Sequence, residues 1–291
     1  MSTASVLIPA DDIDHATSGT PGPRYTLLLS TDPVHIEAAQ RLRHDVFTSE
    51  PGFAMAPTSD GLDADRFDEF CDHLLVREDG SGELVGCYRM LPPPGAIAAG
   101  SLYTATEFDV RALDALRPSL VEMGRAVVRS DHRNGGVVLL MWAGILAYLD
   151  RCGYEYVTGC VSVPTHPSGG LERSDRGDGP GEEPGSQLRG VRDFVLRRHS
   201  APAELTVRPY RPVVIDGRGL DEIDPPARVT VPALMRGYLR LGAQVCGEPA
   251  HDPAFGVGDF PALLDKSRAD VRYLKRLRSV SQAAEATEGE A

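Results

Sequence analysis

Residues 119–153, SLVEMGRAVVRSDHRNGGVVLLMWAGILAYLDRCG, decide how the rest of the chain is read. Leu120 to Val128 is rich in β-branched residues and alternates in character, which predicts a strand. Glu122 and Arg125 are charges on that strand. Three residues apart, they are expected on opposite faces, each with a partner elsewhere. A polar turn with Gly135 and Gly136 follows. Val137 to Leu149 is apolar all round, as a helix buried at the centre of a domain should be, and Gly153 supplies the residue that ends it. A strand, a glycine turn and a buried helix place backbone N–H groups at a helix N-terminus, which suits an anionic ligand.

The 291 residues, 42% hydrophobic, suffice for one large or two modest globular units. A formal charge of −12 argues against a nucleic-acid binder and against broad attraction to anionic membranes. Cys71, Cys87, Cys152, Cys160 and Cys246 are odd in number and contain no CxxC pair. They read as reduced thiols, with no metal expected. The N-terminus has no basic region ahead of an apolar stretch, and the 13-residue run Val137–Leu149 is shorter than a membrane span of ~20 residues. A soluble cytoplasmic protein is expected.

Outward from the central stretch, residues 1–23 read as a disordered leader, 24–279 as one domain, and 280–291 as a disordered tail. Tyr25–Leu29 is a first strand, and Val34–Val46 a helix with Ile36, Ala39, Leu42 and Val46 at helical spacing. His73–Arg77 and Leu84–Leu91 form a hairpin about EDGSGE. Tyr154–Val163 completes a strand–helix–strand crossover. Residues 164–186, rich in Pro, Gly, Ser and acids, are expected to form a mobile loop. Helices are expected at Gln187–His199, Pro232–Leu241 and Ala269–Leu277, with one or two strands in Glu204–Ile215. The fold class is α/β (α+β): a mixed central sheet, flanking helices and a C-terminal helical elaboration.

Four constellations carry chemistry. In DADRFDEFCDH, Asp63, Asp65 and Glu69 read as a solvated acidic loop, while Asp68 and Asp72 lie beside Phe67, Phe70 and Leu74 and are placed to turn inward and hold an ammonium group. Arg89 shares a strand face with Cys87 and Leu91, so it needs a carboxylate, either a structural aspartate or that of a substrate. Glu122, on a central strand beside an anion-binding turn, is a candidate general base, or else one half of a buried ion pair. Arg133, Gly135 and Gly136 could cradle a phosphate or pyrophosphate, although a glycine pair serves any tight turn.

Several blocks resemble a known family. CDHLLV (71–76), VGCYRML (85–91), EFD (107–109), EMGRAVV (122–128) and LRLGAQVCGEPAHDP (239–253) closely resemble the ornithine N-acyltransferases, in the same order, over Tyr25 to Leu277. These GNAT-like enzymes acylate ornithine from a 3-hydroxyacyl-acyl carrier protein. The core is also similar to the acyl-homoserine-lactone synthases. The resemblance implies a GNAT-like fold, with Arg43, Phe47, Asp68, Arg89 and Arg125 at the substrate and Glu122 as the base or amine anchor. It implies no cofactor beyond the thioester co-substrate, carried by acyl carrier protein or by coenzyme A, and a peripheral membrane contact as the lipid product leaves. Two features depart from this pattern or refine it. RNGG compresses the GNAT phosphate-loop pattern R/Q-x-x-G-x-G/A, and GEPAHDP favours the ornithine type over the shorter lactone synthases.

The chemistry of the residues agrees. Ornithine carries two ammonium groups and one carboxylate, which suits acids and arginines in one pocket, and amide formation from a thioester needs no covalent enzyme intermediate. Basic clusters at Arg189, Arg192, Arg197 and Arg198 and at Arg268, Arg272, Lys275 and Arg276 are candidate docking surfaces for the carrier. The competing readings are a lactone synthase, another amino-acid N-acyltransferase, and a non-catalytic acyl-carrier binder.

Overall fold

The computed structural model of the chain describes residues 4–8, 23–133, 135–166 and 183–288. In chain order the elements are β1 (Ala4–Ile8), β2 (Tyr25–Ser30), α1 (Pro33–Ser49), β3 (Asp72–Glu78), β4 (Leu84–Leu91), α2 (Pro93–Ala98), β5 (Phe108–Asp109), β6 (Leu120–Val128), α3 (Gly136–Cys152), β7 (Tyr156–Pro164), α4 (Ser186–Arg198), β8 (Arg208–Pro209), β9 (Val214–Ile215), β10 (Arg218–Gly219), α5 (Ala233–Leu241), β11 (Gln244–Val245), β12 (Ala250–Asp252), β13 (Val257–Asp265) and α6 (Val271–Glu288). One large mixed sheet runs β1-β2-β3-β4-β6-β7-β13-β11, with β12 paired to β13. The expected α/β architecture is this one.

The central stretch folds as its pattern demands. β6 has the predicted bounds, α3 extends the predicted helix by a residue or more at each end, and Gly153 ends it in the left-handed conformation at φ 71°. α3 is buried because it lies between the sheet and α6, so its apolar circumference has a partner on both sides. Each fully buried Leu, Ile or Trp there contributes about 1.5–3 kcal/mol of transfer free energy. α1 covers the other face of β4 and β6 with Ala39, Leu42, Arg43 and Val46.

The crossover predicted from the sequence pairs β6 and β7 in parallel, but only from Leu120–Tyr156 to Glu122–Thr158. Beyond that the strands part. Gly159 sits at the point of separation: an added Cβ would lie 2.2 Å from the Met123 carbonyl oxygen. β7 bonds instead along its whole length to β13, and a small cavity of about 30 Å³ opens among Tyr88, Met123, Trp142, Thr158, Gly159 and Tyr238.

Three expectations are corrected. Residues 4–8, expected within a disordered stretch, form a strand that pairs antiparallel with β2 and buries Leu7 and Ile8, covering an edge that is otherwise unpaired. The tail expected from residue 280 is helical through Glu288 as part of α6. The nine-residue strand β13 was not predicted, since Gly258 and Pro261 break its pattern; Pro261 is tolerated where β13 meets β7. The expected loop at 164–186 falls chiefly on residues 167–182, outside the described residues.

Candidate active site

The α1 side of β4 and β6 carries an alternating array of arginines and aspartates. Arg43 sits on the apolar face of α1, 1% exposed. Its Nε donates to Asp63 Oδ2 at 2.9 Å, and Nη1 and Nη2 donate to the two oxygens of Asp68, each at 2.9 Å. Arg89 Nη1 donates to Asp65 Oδ1 at 2.6 Å and Asp68 Oδ1 at 3.0 Å. The sequence left Arg89 between a structural aspartate and a substrate carboxylate; in this structure its Nη1 is engaged by the two aspartates. Burial by itself would raise the Asp68 carboxyl, but the Arg43 and Arg89 guanidiniums hold it well below the usual range. Asp63 and Asp65, expected in solvent, are drawn in by these cations, and Asp63 is 6% exposed. Glu69 is exposed as expected.

Glu122 and Arg125 share one face, against expectation. Between β4 and β6, one extra residue on β6 breaks the register, and Arg125 itself adopts φ 55°. That bulge resets the alternation and swings Arg125 to the side of Arg89 and Glu122. The residues meet at Tyr103. Tyr103 and Thr104 donate their backbone N–H groups to Glu122, the latter at 2.7 Å, and the Thr104 hydroxyl donates as well. The Glu122 carboxyl is raised by burial, with those donors opposing. Arg125 lies 5.1 Å over the Tyr103 ring and 5.0 Å over Phe255. Its pairs with Asp63 and Asp65 are long, 3.2 and 3.4 Å, and its buried Nε lacks a hydrogen bond of good geometry. Arg125 is the least committed of the three arginines. Phe47 joins this wall, stacked on Phe53 at 6.0 Å and edge-on to Phe255 at 5.4 Å.

Not every predicted residue comes here. Asp72 shares the sheet face of Leu74 and accepts a hydrogen bond from Tyr148 of α3 at 2.6 Å, so strand alternation puts it on the side opposite Asp68. Arg133 donates to the Val128 carbonyl and pairs with Glu50 at 2.5 Å, on the rim of a cavity of about 890 Å³ between α1 and the end of β6. Gly135 caps α3 in the left-handed region at φ 87°, and Gly136 opens the helix. The glycines serve the turn, and the Arg133 head is engaged by an acid.

Beyond Arg125, three carboxyls that the sequence did not single out converge. One ligand oxygen each from Glu107, Asp252 and Asp259 lies within 4.8 Å of the others, and the residues are 5%, 8% and 4% exposed. Asp259 accepts from Ser162 Oγ at 2.6 Å, and Asp252 from the backbone of Ala254 and Phe255. Glu107 shares a carboxyl–carboxyl hydrogen bond with Asp259 and accepts from the Cys160 thiol at 3.9 Å. Among the described residues no arginine or lysine is ion-paired with any of the three. Burial first, then their mutual repulsion, pushes Glu107 and Asp259 above the ordinary carboxylate range. Their scatter over three distant segments hid them; EFD and HDP entered only as family blocks.

Residues 42–143 match the acetyltransferase (GNAT) domain. The chain is 33% identical over 259 residues to an L-ornithine N(alpha)-acyltransferase of Brucella abortus, covering 84% of this chain and 86% of that protein. It is 31% identical over 256 residues to one of Rhizobium meliloti, covering 84% and 81%. Among solved structures, the CoA-dependent acyl-homoserine lactone synthase BjaI aligns over 86% of this chain and 92% of its own, at 17% identity and a TM-score of 0.45.

Proposed function

The chain belongs to the L-ornithine N(alpha)-acyltransferase family, and we propose that it transfers a (3-hydroxy)acyl group from an acyl carrier protein thioester to the α-amine of ornithine, giving lyso-ornithine lipid. The observations that support this reading are the parting of β6 from β7 beyond Glu122–Thr158 and the partly committed Arg125 on β6. The thioester arm is assigned to the place where the two strands part. Arg125 receives the acceptor's carboxylate, Phe47, Phe53 and Phe255 wall it, and the amine attacks the thioester carbonyl directly. A thiol leaves and an amide forms.

Such an attack requires the amine to lose a proton. Glu122 is assigned that proton, its basicity raised by burial, while its bonds to Tyr103 and Thr104 hold their turn in place. The docking surface assigned to the carrier is Arg272, Lys275 and Arg276 of α6, all exposed. Of the other cluster, Arg189 and Arg192 are engaged by Asp193, Asp221 and Glu248. Coenzyme A thioesters present the same reacting group and are admissible donors.

Mass spectrometry of lipids from a host lacking ornithine lipids, expressing this protein alone, tests the reading. A new species of ornithine with one 3-hydroxyacyl group is expected. A different acylated amino acid would change the acceptor, and no new species from folded protein would overturn the assignment.

A further inference from the structure

We propose that Glu107, Asp252 and Asp259 form the subsite for the side-chain ammonium of the acceptor and thereby select a diamino acid; this rests on the acyltransferase reading above. Three side chains more than nine-tenths buried converge within 4.8 Å with no described cation paired to them. Buried carboxylates without a cation are costly unless protonated or partnered. Glu107 carries the argument furthest. It is 5% exposed, its partners are the Cys160 thiol and the Asp259 carboxyl with which it shares a hydrogen bond, and no cation is paired with it among the described residues. Asp259 and Asp252 each have local donors, which keep their geometry without neutralising them.

The position is the second, independent line. Asp252 belongs to the loop whose Phe255 lies under Arg125, so the acidic subsite and the arginine assigned to the acceptor's carboxylate are joined through one short segment. The Cys160 thiol touches both Glu107 and Thr104, and Thr104 is a ligand of Glu122. An amino acid lying across this face would thus set its carboxylate at Arg125, its α-amine towards Glu122 and a terminal ammonium at the acids. The relatives are named for ornithine, whose side chain ends in such an ammonium. A ligand cation there would stabilise the ionised carboxyls, and the acids would stabilise the cation in return.

The experiment compares ornithine with norvaline, which has the same carbon chain without the terminal amine, in full-length wild type and in E107Q, D252N and D259N. Calorimetric binding of each amino acid is measured alongside kcat/KM. Wild type is expected to prefer ornithine by roughly 100-fold or more, since a pocket built for a polar group rejects the analogue lacking it. The variants should lose most of that preference through a higher KM for ornithine, with norvaline little changed. A preference that survives in all three folded variants overturns the proposal. So does a loss shared equally by both amino acids, which marks a structural role. Ornithine acylation abolished by EDTA and restored by a divalent ion would give the site to a metal and also overturn it. If wild type acylates neither amino acid but does acylate another, the acyltransferase reading of the acceptor fails instead, which is a separable result.

Discussion

At the scale of single residues, one substitution separates the observed role of Glu122, holding the Tyr103–Thr104 turn, from the base role proposed for it. Glu122→Gln keeps the shape but faces an amide NH2 towards the donors of Tyr103 and Thr104. Loss of those charge-assisted bonds should cost about 1–3 kcal/mol of stability. If the carboxylate also takes the amine proton, kcat should fall roughly 100-fold or more at unchanged KM for ornithine. A rise in KM alone would leave Glu122 as a positioning residue. Arg43 is a simpler case. Arg43→Met removes the cation that satisfies Asp63 and Asp68, both buried, and should destabilise the fold by about 3–5 kcal/mol in denaturant titration. A loss below about 1 kcal/mol would mean that the aspartates find other donors.

At the scale of elements, the close approach of β7 to β6 where the two strands begin to part depends on one missing side chain. Gly159→Ala drives a Cβ into the Met123 carbonyl, so β7 must move away from the last ladder pairs. Overpacking of this kind costs about 1–3 kcal/mol, and the donor's KM should change more than the acceptor's, because the opening assigned to the thioester arm is altered. Unaltered stability and kinetics would show that the close approach does not require glycine there. β1 offers a second measurement. Ile8 is fully buried under α3 and β2, so Ile8→Ala should cost about 2–5 kcal/mol, a result that a loose leader would not produce.

At the scale of the whole molecule, charge decides behaviour. The folded pKa of Glu107 lies above its ordinary value of 4.5, so the native state binds more protons than the unfolded chain over that interval. Stability from this group is present at low pH and is lost as pH rises from 4.5 towards the raised value. Between about pH 5 and 8 the wild-type melting temperature should therefore decline more steeply than that of E107Q, and parallel slopes would remove Glu107 as the cause. The −12 charge would repel an acidic carrier overall, so the docking proposed for it rests on the local basic face of α6. Reversing Arg272 and Arg276 should raise KM for a carrier-bound donor and spare a coenzyme A donor. No helix among the described residues is long and apolar enough to cross a membrane.

What the sequence determined by itself follows from local periodicity. β6, α3, the hairpin β3–β4 and the helices α1 and α5 were legible because their apolar spacing matches a strand or helix period and their neighbours carry turn residues. Family blocks also marked Arg43, Asp68, Arg89 and Arg125, all of which meet in one cluster. The tertiary structure decided the rest. The bulge at Arg125 reverses a facing that simple alternation assigns, and strand alternation carries Asp72 to the far side of the sheet. Asp63 and Asp65 leave the solvent because buried guanidiniums require them. Glu107, Asp252 and Asp259 come from segments far apart in the chain, and no local pattern announces a contact that exists only once the sheet has closed around it.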